Sequence, residues 1–348
     1  MRIAQVSPLA ESVPPELYGG TERIVACLTD ELVALGHDVT LFASGDSRTR
    51  AELHAVGEEA LRLAPRQRDP LFLYAHMLED IAVAAAEFDV VHFHCDWVHL
   101  PLFARLRTPF VTTLHGRLDS CDLAGLSGRF GDAPFISISQ SQRLPQPELN
   151  WVATVQHGLP LGLLSPTFGA GSYLAFLGRI APEKGPDAAI RIARAAGVPL
   201  RIAAKVDGAD APFYREAVEP LLTEGGAELV GEIDDREKSG FLGNAQALVF
   251  PIDWPEPFGL VMIEAMACGT PVIAYRSGAV PEIIENGVTG FIVDVDDEAG
   301  AVAAIQEAAG LDRRRIRAVF ERRFAARRMA EDYVQVYRQL AGSPMAAA

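Results

Sequence analysis

Two glutamates, Glu256 and Glu264, are separated by seven residues that include the predicted start of a helix. Pro255 and Pro257 stiffen the loop around Glu256, because the proline ring fixes φ. Glu264 lies inside an otherwise apolar helix start, where burying an unpaired carboxylate would cost several kcal/mol. Sugar hydroxyls are good partners for such carboxylates. Glu264 alone can equally be a salt-bridged helix glutamate, but the pair in this setting favours a ligand.

The predicted helix between these glutamates begins near Gly259 and follows a buried strand predicted over 247–251. The first N–H groups of a helix have no partner within it. We therefore expect the main-chain N–H groups of Phe258, Gly259 and Leu260 to bind an anion or a hydroxyl group.

Two cations five residues apart, Arg179 and Lys184, follow another predicted strand at 172–177. Arginine offers a bidentate fork to phosphate oxygens and lysine offers a point charge. A helix is predicted to start near Pro186, immediately after them. This arrangement predicts a diphosphate site, and the alternative is a pair of solvated surface cations.

The Gly19-Gly20-Thr21-Glu22 segment opens a helix after the first predicted strand, 2–7. Its glycines let the main chain approach a ligand closely, and a helix N-terminus suits a phosphate. The alternative is a simple turn with Thr21 as the N-cap. Ser7-Pro8-Leu9-Ala10 follows the strand without a glycine, so the dinucleotide-binding fingerprint of nicotinamide dehydrogenases is absent from this sequence.

His115 directly follows the predicted strand 110–114. Ligands of open parallel sheets bind beyond the carboxyl ends of the strands, so this position favours a role in a site. A histidine there can donate a hydrogen bond or stabilise developing charge, or it can simply hold a loop. His92 and His94 lie within or at the end of their own strand and are predicted to be core or supporting residues.

Short β-rich runs alternate with amphipathic stretches along the chain, which is typical of βα units on parallel sheets. The length of 348 residues favours two domains of roughly 150–180 residues each. A turn-rich segment at 159–171 predicts a linker between a first domain at 1–158 and a second at 172–328. The predicted strands are 2–7, 39–43, 90–94, 110–114, 135–138 and 151–156, then 172–177, 200–204, 227–230, 247–251, 271–274 and 290–293.

The composition argues against several classes of protein. A net charge of −15 would repel the phosphate backbone of nucleic acid, and it weakens a membrane-surface role. No apolar run reaches the ~18 residues needed to span a bilayer. The first residues show no apolar segment typical of a signal peptide, which predicts a cytoplasmic location. Four cysteines without CxxC spacing indicate buried thiols in a reducing compartment.

Two charged stretches have simple structural interpretations. Asp234-Asp235 resembles a metal-binding pair, but it opens a charged helix and is predicted to be an N-cap. The arginine-rich stretch 313–328 could contact anionic lipid, and a solvated helix face is the favoured interpretation.

Together these motifs resemble the family 4 retaining glycosyltransferases. The resemblance implies an α/β protein of the GT-B fold, with two Rossmann-like βαβ domains facing across a cleft. It spans nearly the whole chain, and the motifs of the second domain are the more specific ones. The matching residues are the E-x7-E pair Glu256 and Glu264, the surrounding 257–260 and 265–272, the loop 178–185, His115 and Gly19-Gly20.

For the donor's phosphates and base, the resemblance implies the following contacts. Arg179 and Lys184 would neutralise a nucleotide diphosphate. The main chain of the Gly19-Gly20 loop would approach it from the first domain. Lys205 and Ile233 lie where the family contacts donor phosphate and base.

For the donor's sugars, the resemblance implies a second set of contacts. Glu264 would hold the ribose hydroxyls. Glu256 and the main chain of 258–260 would hold the hydroxyls of the transferred sugar, and His115 would face that sugar and support charge near its anomeric centre. The last helix, 329–341, would pack on the first domain.

The implied reaction retains the anomeric configuration, because the departing phosphate takes the acceptor's proton on the same face. No cofactor and no metal are implied. A UDP-sugar is the favoured donor, with GDP-mannose as an alternative. Glycogen and starch synthases carry a lysine where this chain has Tyr18, which counts against an α-glucan acceptor. The acceptor, whether a small molecule, a glycan or a lipid-linked sugar, is left open.

Two other functions remain alternatives at this point. A nucleotide-sugar epimerase shares the two-domain architecture but would place acid and base carboxylates differently. A sugar-binding protein without turnover would normally be exported, and no export signal is evident in the sequence.

Overall fold

The computed structural model describes residues 1–17, 19–62, 69–123 and 125–342, and Tyr18 therefore lies outside the described residues. The chain divides into two compact units. Unit 1 comprises Met1–Gly158 together with the chain from Ala326 onward, and unit 2 comprises Leu159–Ala325. Each unit is a parallel sheet with helices packed on it.

The sheet of unit 1 has seven strands among the described residues, in the order β3-β2-β1-β4-β5-β6-β7. Its central strands are buried on both faces, as expected where helices cover both sides of a parallel sheet. The strands are β1 Arg2–Val6, β2 Asp38–Ala43, β3 Glu52–Ala55, β4 Val90–Phe93, β5 Phe110–Thr113, β6 Phe135–Ser137 and β7 Trp151–Thr154.

The sheet of unit 2 has six strands among the described residues, in the order β10-β9-β8-β11-β12-β13. All of its pairs are parallel, with Leu248 of the fourth strand opposite both Val272 and Ala175. The strands are β8 Tyr173–Arg179, β9 Leu200–Lys205, β10 Ala227–Gly231, β11 Ala245–Phe250, β12 Val272–Tyr275 and β13 Gly290–Val293.

The twelve strands predicted from sequence are all confirmed, with boundaries that differ by two residues at most. The sequence missed β3, a four-residue edge strand whose side chains are at most partly buried and therefore carry no apolar signal. The Rossmann-like α/β class is confirmed for both units.

The helices are α1 Gly20–Ala34, α2 Pro70–Ala84, α3 Leu100–Phe103, α4 Leu126–Phe130, α5 Pro186–Ala196, α6 Ala211–Phe213, α7 Glu219–Thr223, α8 Asp235–Gly243, α9 Leu260–Ala267, α10 Val280–Ile283, α11 Glu298–Ala308, α12 Arg313–Arg323 and α13 Ala326–Gly342. Helices α1 to α10 lie between successive strands in the chain, and α11 to α13 follow the last strand. No described helix is both long enough and apolar enough to cross a membrane.

Helix α1 shows how the main chain sets a helix boundary. Its N-cap is Gly19, at φ 144°, and no side chain caps it, so the prediction that Thr21 is the cap is wrong. A Cβ at Gly19 would lie 2.8 Å from the Pro15 side chain, which leaves room only for glycine. The helix ends before Gly36, whose φ of 85° suits the residue that follows a helix C-terminus.

The segment 159–171, predicted to be a linker, packs within unit 2. Arg317 donates hydrogen bonds to the carbonyl oxygens of Leu161 at 2.7 Å and Leu164 at 3.1 Å. Arg313 donates to the carbonyl oxygens of Thr167 at 3.2 Å and Gly243 at 2.8 Å. Because main-chain carbonyls without partners are costly to bury, these arginines fix the segment in place.

The same contacts correct the interpretation of the arginine-rich stretch. Arg313 and Arg317 are each 8% exposed, so the predicted solvated face is wrong for these two side chains. The arginine-rich stretch 313–328 spans two helices, because the chain leaves α12 at Phe324 and enters α13 at Ala326. Helix α13 packs on α1 within unit 1, where the sequence placed the last helix.

Candidate functional site

Unit 2 places its predicted site residues at the point where the strand order reverses. β9 lies on one side of β8 and β11 lies on the other, and ligands of open α/β sheets bind at the carboxyl ends of strands beside such a switch. Arg179 ends β8, Lys205 ends β9 and Glu256 follows β11. The Asp253 N–H bonds to the Glu183 carbonyl oxygen at 3.0 Å, which joins the loops after β8 and β11.

Lys184 and Glu256 form a direct ion pair. The Lys184 Nζ lies 2.6 Å from the Glu256 Oε2, and the Trp254 Nε1–H donates to the same oxygen at 2.7 Å. The Lys184 ammonium also lies 4.6 Å from the centre of the Trp254 ring, an additional cation–π contact. The sequence assigned Lys184 to a phosphate and Glu256 to a sugar, and in this structure the two side chains pair with each other.

Gly278 holds the loop that carries Glu256. Its φ is +52°, and a Cβ on it would lie 2.3 Å from both the main-chain N and O atoms of Glu256. The Ala279 N–H donates to the Glu256 carbonyl oxygen at 2.9 Å, and the Ser277 hydroxyl donates to the Trp254 carbonyl oxygen at 2.5 Å. Segment 277–279 therefore fixes the Glu256 main chain, and only glycine fits at its middle position.

The other two cations at this edge also have carboxylate partners. Arg179 bonds to Glu183 at 2.7 Å and to Asp210 at 3.1 Å, and Asp207 lies 3.8 Å away. Lys205 bonds to the other oxygen of Asp207 at 2.6 Å. The carboxylates hold these cations in place and balance their charge. A phosphate that binds the cations must therefore replace carboxylate contacts.

Glu264 is 3% exposed in α9 and is paired with a lysine of α8. Lys238 Nζ lies 2.8 Å from Glu264 Oε1 and 3.3 Å from Asp235. The sequence identified the need for a partner at Glu264 but missed Lys238, which is 26 residues away along the chain. The structure therefore shows the salt bridge that was the alternative interpretation of Glu264.

The start of α9 lies where the sequence placed it. Gly259 is the N-cap with φ 81°, Leu260 is the first helical residue, and Phe258 is buried. A Cβ at Gly259 would lie 2.7 Å from the Met262 Cε. The main-chain N–H groups at this helix start lie in the same loop as Glu256, in keeping with a cradle for a polar ligand.

The loop after β10 contains the two remaining predicted features of unit 2. Ile233 is half-buried and precedes α8. Asp234 caps α8 in a capping box with Glu237, so the predicted N-cap is confirmed.

In unit 1, the Gly19-Gly20 turn is followed by a buried carboxyl group. Glu22, in the first turn of α1, is 5% exposed. Burial raises the pKa of its carboxyl group to about 7, main-chain hydrogen bonds partly oppose this, and nearby Glu11 adds to it. Glu11 is paired with Arg62. Glu22 belongs to the sequence motif at 19–22, but the motif does not indicate that its side chain is buried.

His115 lies just beyond β5, as predicted, within a cluster of histidines. Its Nε2 is 2.9 Å from the Nδ1 of His94, and its ring stacks on that of His157 with centroids 5.3 Å apart. Burial lowers the pKa of His115 to about 3, so the ring is neutral at pH 7. The burial of His92 and His94 confirms that they are core residues.

The structure thus brings Arg179, Lys184, Lys205 and Glu256 to one edge of unit 2. Glu264 and 258–260 extend the same region along α9, and Gly19, Gly20 and His115 occupy the carboxyl edge of unit 1. The sequence missed Trp254, Gly278 and the aspartates Asp207 and Asp210. An indole within the motif and a glycine in the turn after β12 were the available signals.

Two family models match the chain. The model described as Glycosyltransferase Family 4 matches residues 18–153, and the model described as Glycosyl transferases group 1 matches residues 167–319. The glycogen synthase of Mycobacterium tuberculosis (strain ATCC 25618 / H37Rv) is 28% identical over 361 residues, covering 88% of this chain and 85% of the relative.

Two solved structures illustrate the similarity of fold. The sucrose-phosphate synthase of Thermosynechococcus elongatus has a TM-score of 0.77 at 22% identity, covering 98% of this chain and 99% of that one. HepE of Anabaena, solved in complex with UDP and glucose, has a TM-score of 0.76 at 19% identity, covering 98% and 100%.

The two Rossmann-like units, each with polar groups at the carboxyl edge of its sheet, define a glycosyltransferase of the GT-B fold. The chain belongs to the family 4 glycosyltransferases.

Proposed function

We propose that this protein transfers a hexose from a nucleotide-diphospho-sugar to a hydroxyl acceptor, with retention of the anomeric configuration. The observation that carries the proposal is the convergence of Arg179, Lys184, Lys205 and Glu256 beside the N-terminus of α9. Cations suit a diphosphate, and a carboxylate next to helix N–H groups suits the hydroxyls of a sugar.

Donor binding in this proposal exchanges ion pairs. The diphosphate takes the place of Glu183 and Asp210 on Arg179, and the ammonium of Lys184 turns from Glu256 to a phosphate oxygen. Glu256 is then free to accept hydrogen bonds from the transferred sugar. Trp254 keeps one hydrogen bond to Glu256 and so maintains its position.

The chemical step breaks the bond between the anomeric carbon and the departing phosphate oxygen. The acceptor oxygen bonds to the anomeric carbon on the same face, and its proton passes to the departing phosphate. Charge that develops on the diphosphate is stabilised by Arg179 and Lys184. The proposal also includes two residues of unit 1, in the roles that the family resemblance implies. The main chain of Gly20 would contact a phosphate, and His115 would contact the transferred sugar.

The donor we propose is a UDP-sugar. HepE, which shares the fold, was solved with UDP and glucose. Glu264 would hold the ribose hydroxyls, and Ile233 and Lys205 would contact the base and a phosphate. GDP-mannose is the second candidate donor.

The acceptor is proposed only as a hydroxyl compound. One relative is named a glycogen synthase. The family resemblance implies a lysine before the glycine pair for an α-glucan acceptor, whereas this chain has Tyr18 there. We place the reaction in the cytoplasm, because the four cysteines, all among the described residues, form no disulfide with one another, which suits a reducing compartment.

The experiment that tests this proposal is a transfer assay with a panel of nucleotide sugars and hydroxyl acceptors. Mass spectrometry detects the glycosylated product, and proton NMR reports its anomeric configuration. Retention and undiminished activity in EDTA are expected. Inversion, or a strict need for a divalent metal, would contradict the mechanism. An epimerase would convert the donor without an acceptor, and a binding protein would leave it unchanged.

A further inference from the structure

A continuous chain of hydrogen bonds runs from His115 into the core of unit 1. The His115 Nε2 lies 2.9 Å from the Nδ1 of His94, and the Nε2 of His94 lies 2.9 Å from the Oε1 of Gln5. The amide nitrogen of Gln5 donates to the Tyr337 hydroxyl at 3.0 Å. Gln5 and His94 are almost fully buried, at 0% and 2% exposed, so water does not compete for these bonds.

The chain of hydrogen bonds continues beyond Tyr337 to Thr113 and Tyr333. The Tyr337 hydroxyl lies 2.6 Å from the Nδ1 of His92, whose Nε2 is 2.7 Å from the Thr113 hydroxyl. Thr113 in turn lies 3.1 Å from the Tyr333 hydroxyl. The network therefore has two arms that meet at Gln5. The Gln5 amide is the one group in it with an atom that can only donate, the nitrogen, and an atom that can only accept, the oxygen.

The amide of Gln5 fixes the direction of every bond in the His115 arm. Its Oε1 can only accept, so the Nε2 of His94 must carry the proton. A neutral imidazole has one N–H, so the Nδ1 of His94 is a lone pair and must accept from the Nε2–H of His115. The Nδ1 of His115 is then also a lone pair.

Two further observations agree with that assignment. Burial lowers the pKa of His94 well below its ordinary value and that of His115 to about 3, so both rings are neutral and carry one proton each. Within the described residues, the Nδ1 of His115 is shielded and has no hydrogen-bond partner. A buried N–H without a partner is rarer in folded proteins than an unfilled acceptor, which favours a lone pair at this atom.

The main chain around His115 is held as well. The side-chain amide of Gln142 donates to the carbonyl oxygens of Leu114 at 2.9 Å and Gly116 at 2.8 Å. His115 is therefore fixed on both sides, through its ring by His94 and through its neighbours' carbonyls by Gln142.

We propose that Gln5 is a positioning residue for His115. Acting through His94, it holds the His115 ring in the Nε2-protonated tautomer and leaves the Nδ1 as a lone pair. The Nδ1 of His115 can then only accept a hydrogen bond, and the ring has no free N–H with which to protonate the departing phosphate. The role of His115 toward a sugar rests on the proposed function, whereas its tautomer does not.

The tautomer is tested directly in the wild-type protein by long-range ¹H–¹⁵N NMR of its histidines at pH 7. The signals are assigned with His94→Gln and His115→Gln variants. His94 and His115 should both be neutral with the proton on Nε2. A proton on the Nδ1 of His115, which a reversed Gln5 amide would produce, or a charged ring, overturns the proposal.

Variants then test whether Gln5 acts on turnover. Gln5→Met removes both bonds, and we expect His115 to lose its single tautomer and kcat to fall about 10- to 100-fold, while the Kd for UDP stays unchanged. Gln5→Glu keeps an acceptor toward His94 and should retain the tautomer and restore most of kcat. The matched control is Tyr333→Phe, which removes a buried hydroxyl from the far end of the other arm.

These outcomes separate the two proposals. If the wild-type protein transfers no sugar, the proposed function fails and the NMR result still decides the tautomer. If it does transfer and Gln5→Met matches Tyr333→Phe in both kcat and tautomer, Gln5 is not a positioning residue.

Discussion

The Gly278→Ala substitution should separate the Glu256 loop from the sheet edge that holds it. A Cβ at this position would lie 2.3 Å from the main-chain N and O of Glu256, whereas ordinary contacts begin at 3.4 Å, so the loop must move by roughly 1 Å. A 1 Å misplacement near reacting groups can cost about 10²-fold in rate. We therefore expect kcat/KM for transfer to fall about 100-fold.

Gly287→Ala is the matched control for this substitution. Gly287 also has a positive φ, 74°, and nothing lies within 4 Å of its Cβ position. Both variants pay about 1–2 kcal/mol for alanine in a left-handed conformation. Only Gly278→Ala also introduces a steric clash with the Glu256 main chain. Gly287→Ala should therefore lose stability but keep its kcat/KM.

The assay combines thermal unfolding with the rate of free nucleoside diphosphate release from the donor, measured for both variants and the wild type. The binding of UDP to Gly278→Ala is measured separately to show that the variant is folded. If Gly278→Ala is folded and transfers as fast as Gly287→Ala, the Glu256 loop is not part of the site.

Three further predictions concern stability and donor choice. Lys238→Met leaves Glu264 buried without its cation and should lower the free energy of unfolding, measured in urea, by about 3–5 kcal/mol. The control Arg194→Met breaks an exposed ion pair with Glu224 and should lower it by less than about 1 kcal/mol. Equal losses in the two variants would refute the importance of burial. Folding raises the pKa of the Glu22 carboxyl group from 4.5 to about 7. As the pH rises through that window, the wild type should therefore lose roughly 3 kcal/mol of stability relative to Glu22→Gln. Parallel pH profiles of stability for the two proteins would contradict the raised pKa. UDP should raise the melting temperature more than GDP does, and the reverse order would reassign the donor.

The sequence predicted the strands of both units well because each central strand is a short apolar run between turn residues. It also located the site residues, because parallel strands present their carboxyl ends along one edge of the sheet. Arg179, Lys205 and Glu256 follow separate strands, yet their positions in the βα pattern were sufficient to place them at that edge.

The sequence could not predict which charged groups would pair. Lys184 meets Glu256 across 72 residues, and Lys238 meets Glu264 across 26. Those partners are selected by loop conformations and burial, which have no local signature. For the same reason Arg313 and Arg317 were predicted as part of a solvated face, whereas each is buried against main-chain carbonyls of the segment 159–171.

The interior of unit 1 shows a similar limit. His94 was predicted to be a core residue, and its burial confirms that. Its hydrogen bonds to Gln5 and His115 join β1 to the segments that follow β4 and β5. Tyr337, which contacts Gln5, lies in a helix 332 residues further along the chain. Periodicity identifies buried positions, but it does not identify which buried polar groups meet.

The most direct test of the central claim is the release of nucleoside diphosphate from a nucleotide sugar in the presence of acceptor, by the wild type and by Glu256→Ala. Glu228→Ala, which removes a surface carboxylate paired with Arg201, is the control. We expect release by the wild type and the control, none by Glu256→Ala, and UDP binding by all three. Undiminished release by Glu256→Ala would contradict it.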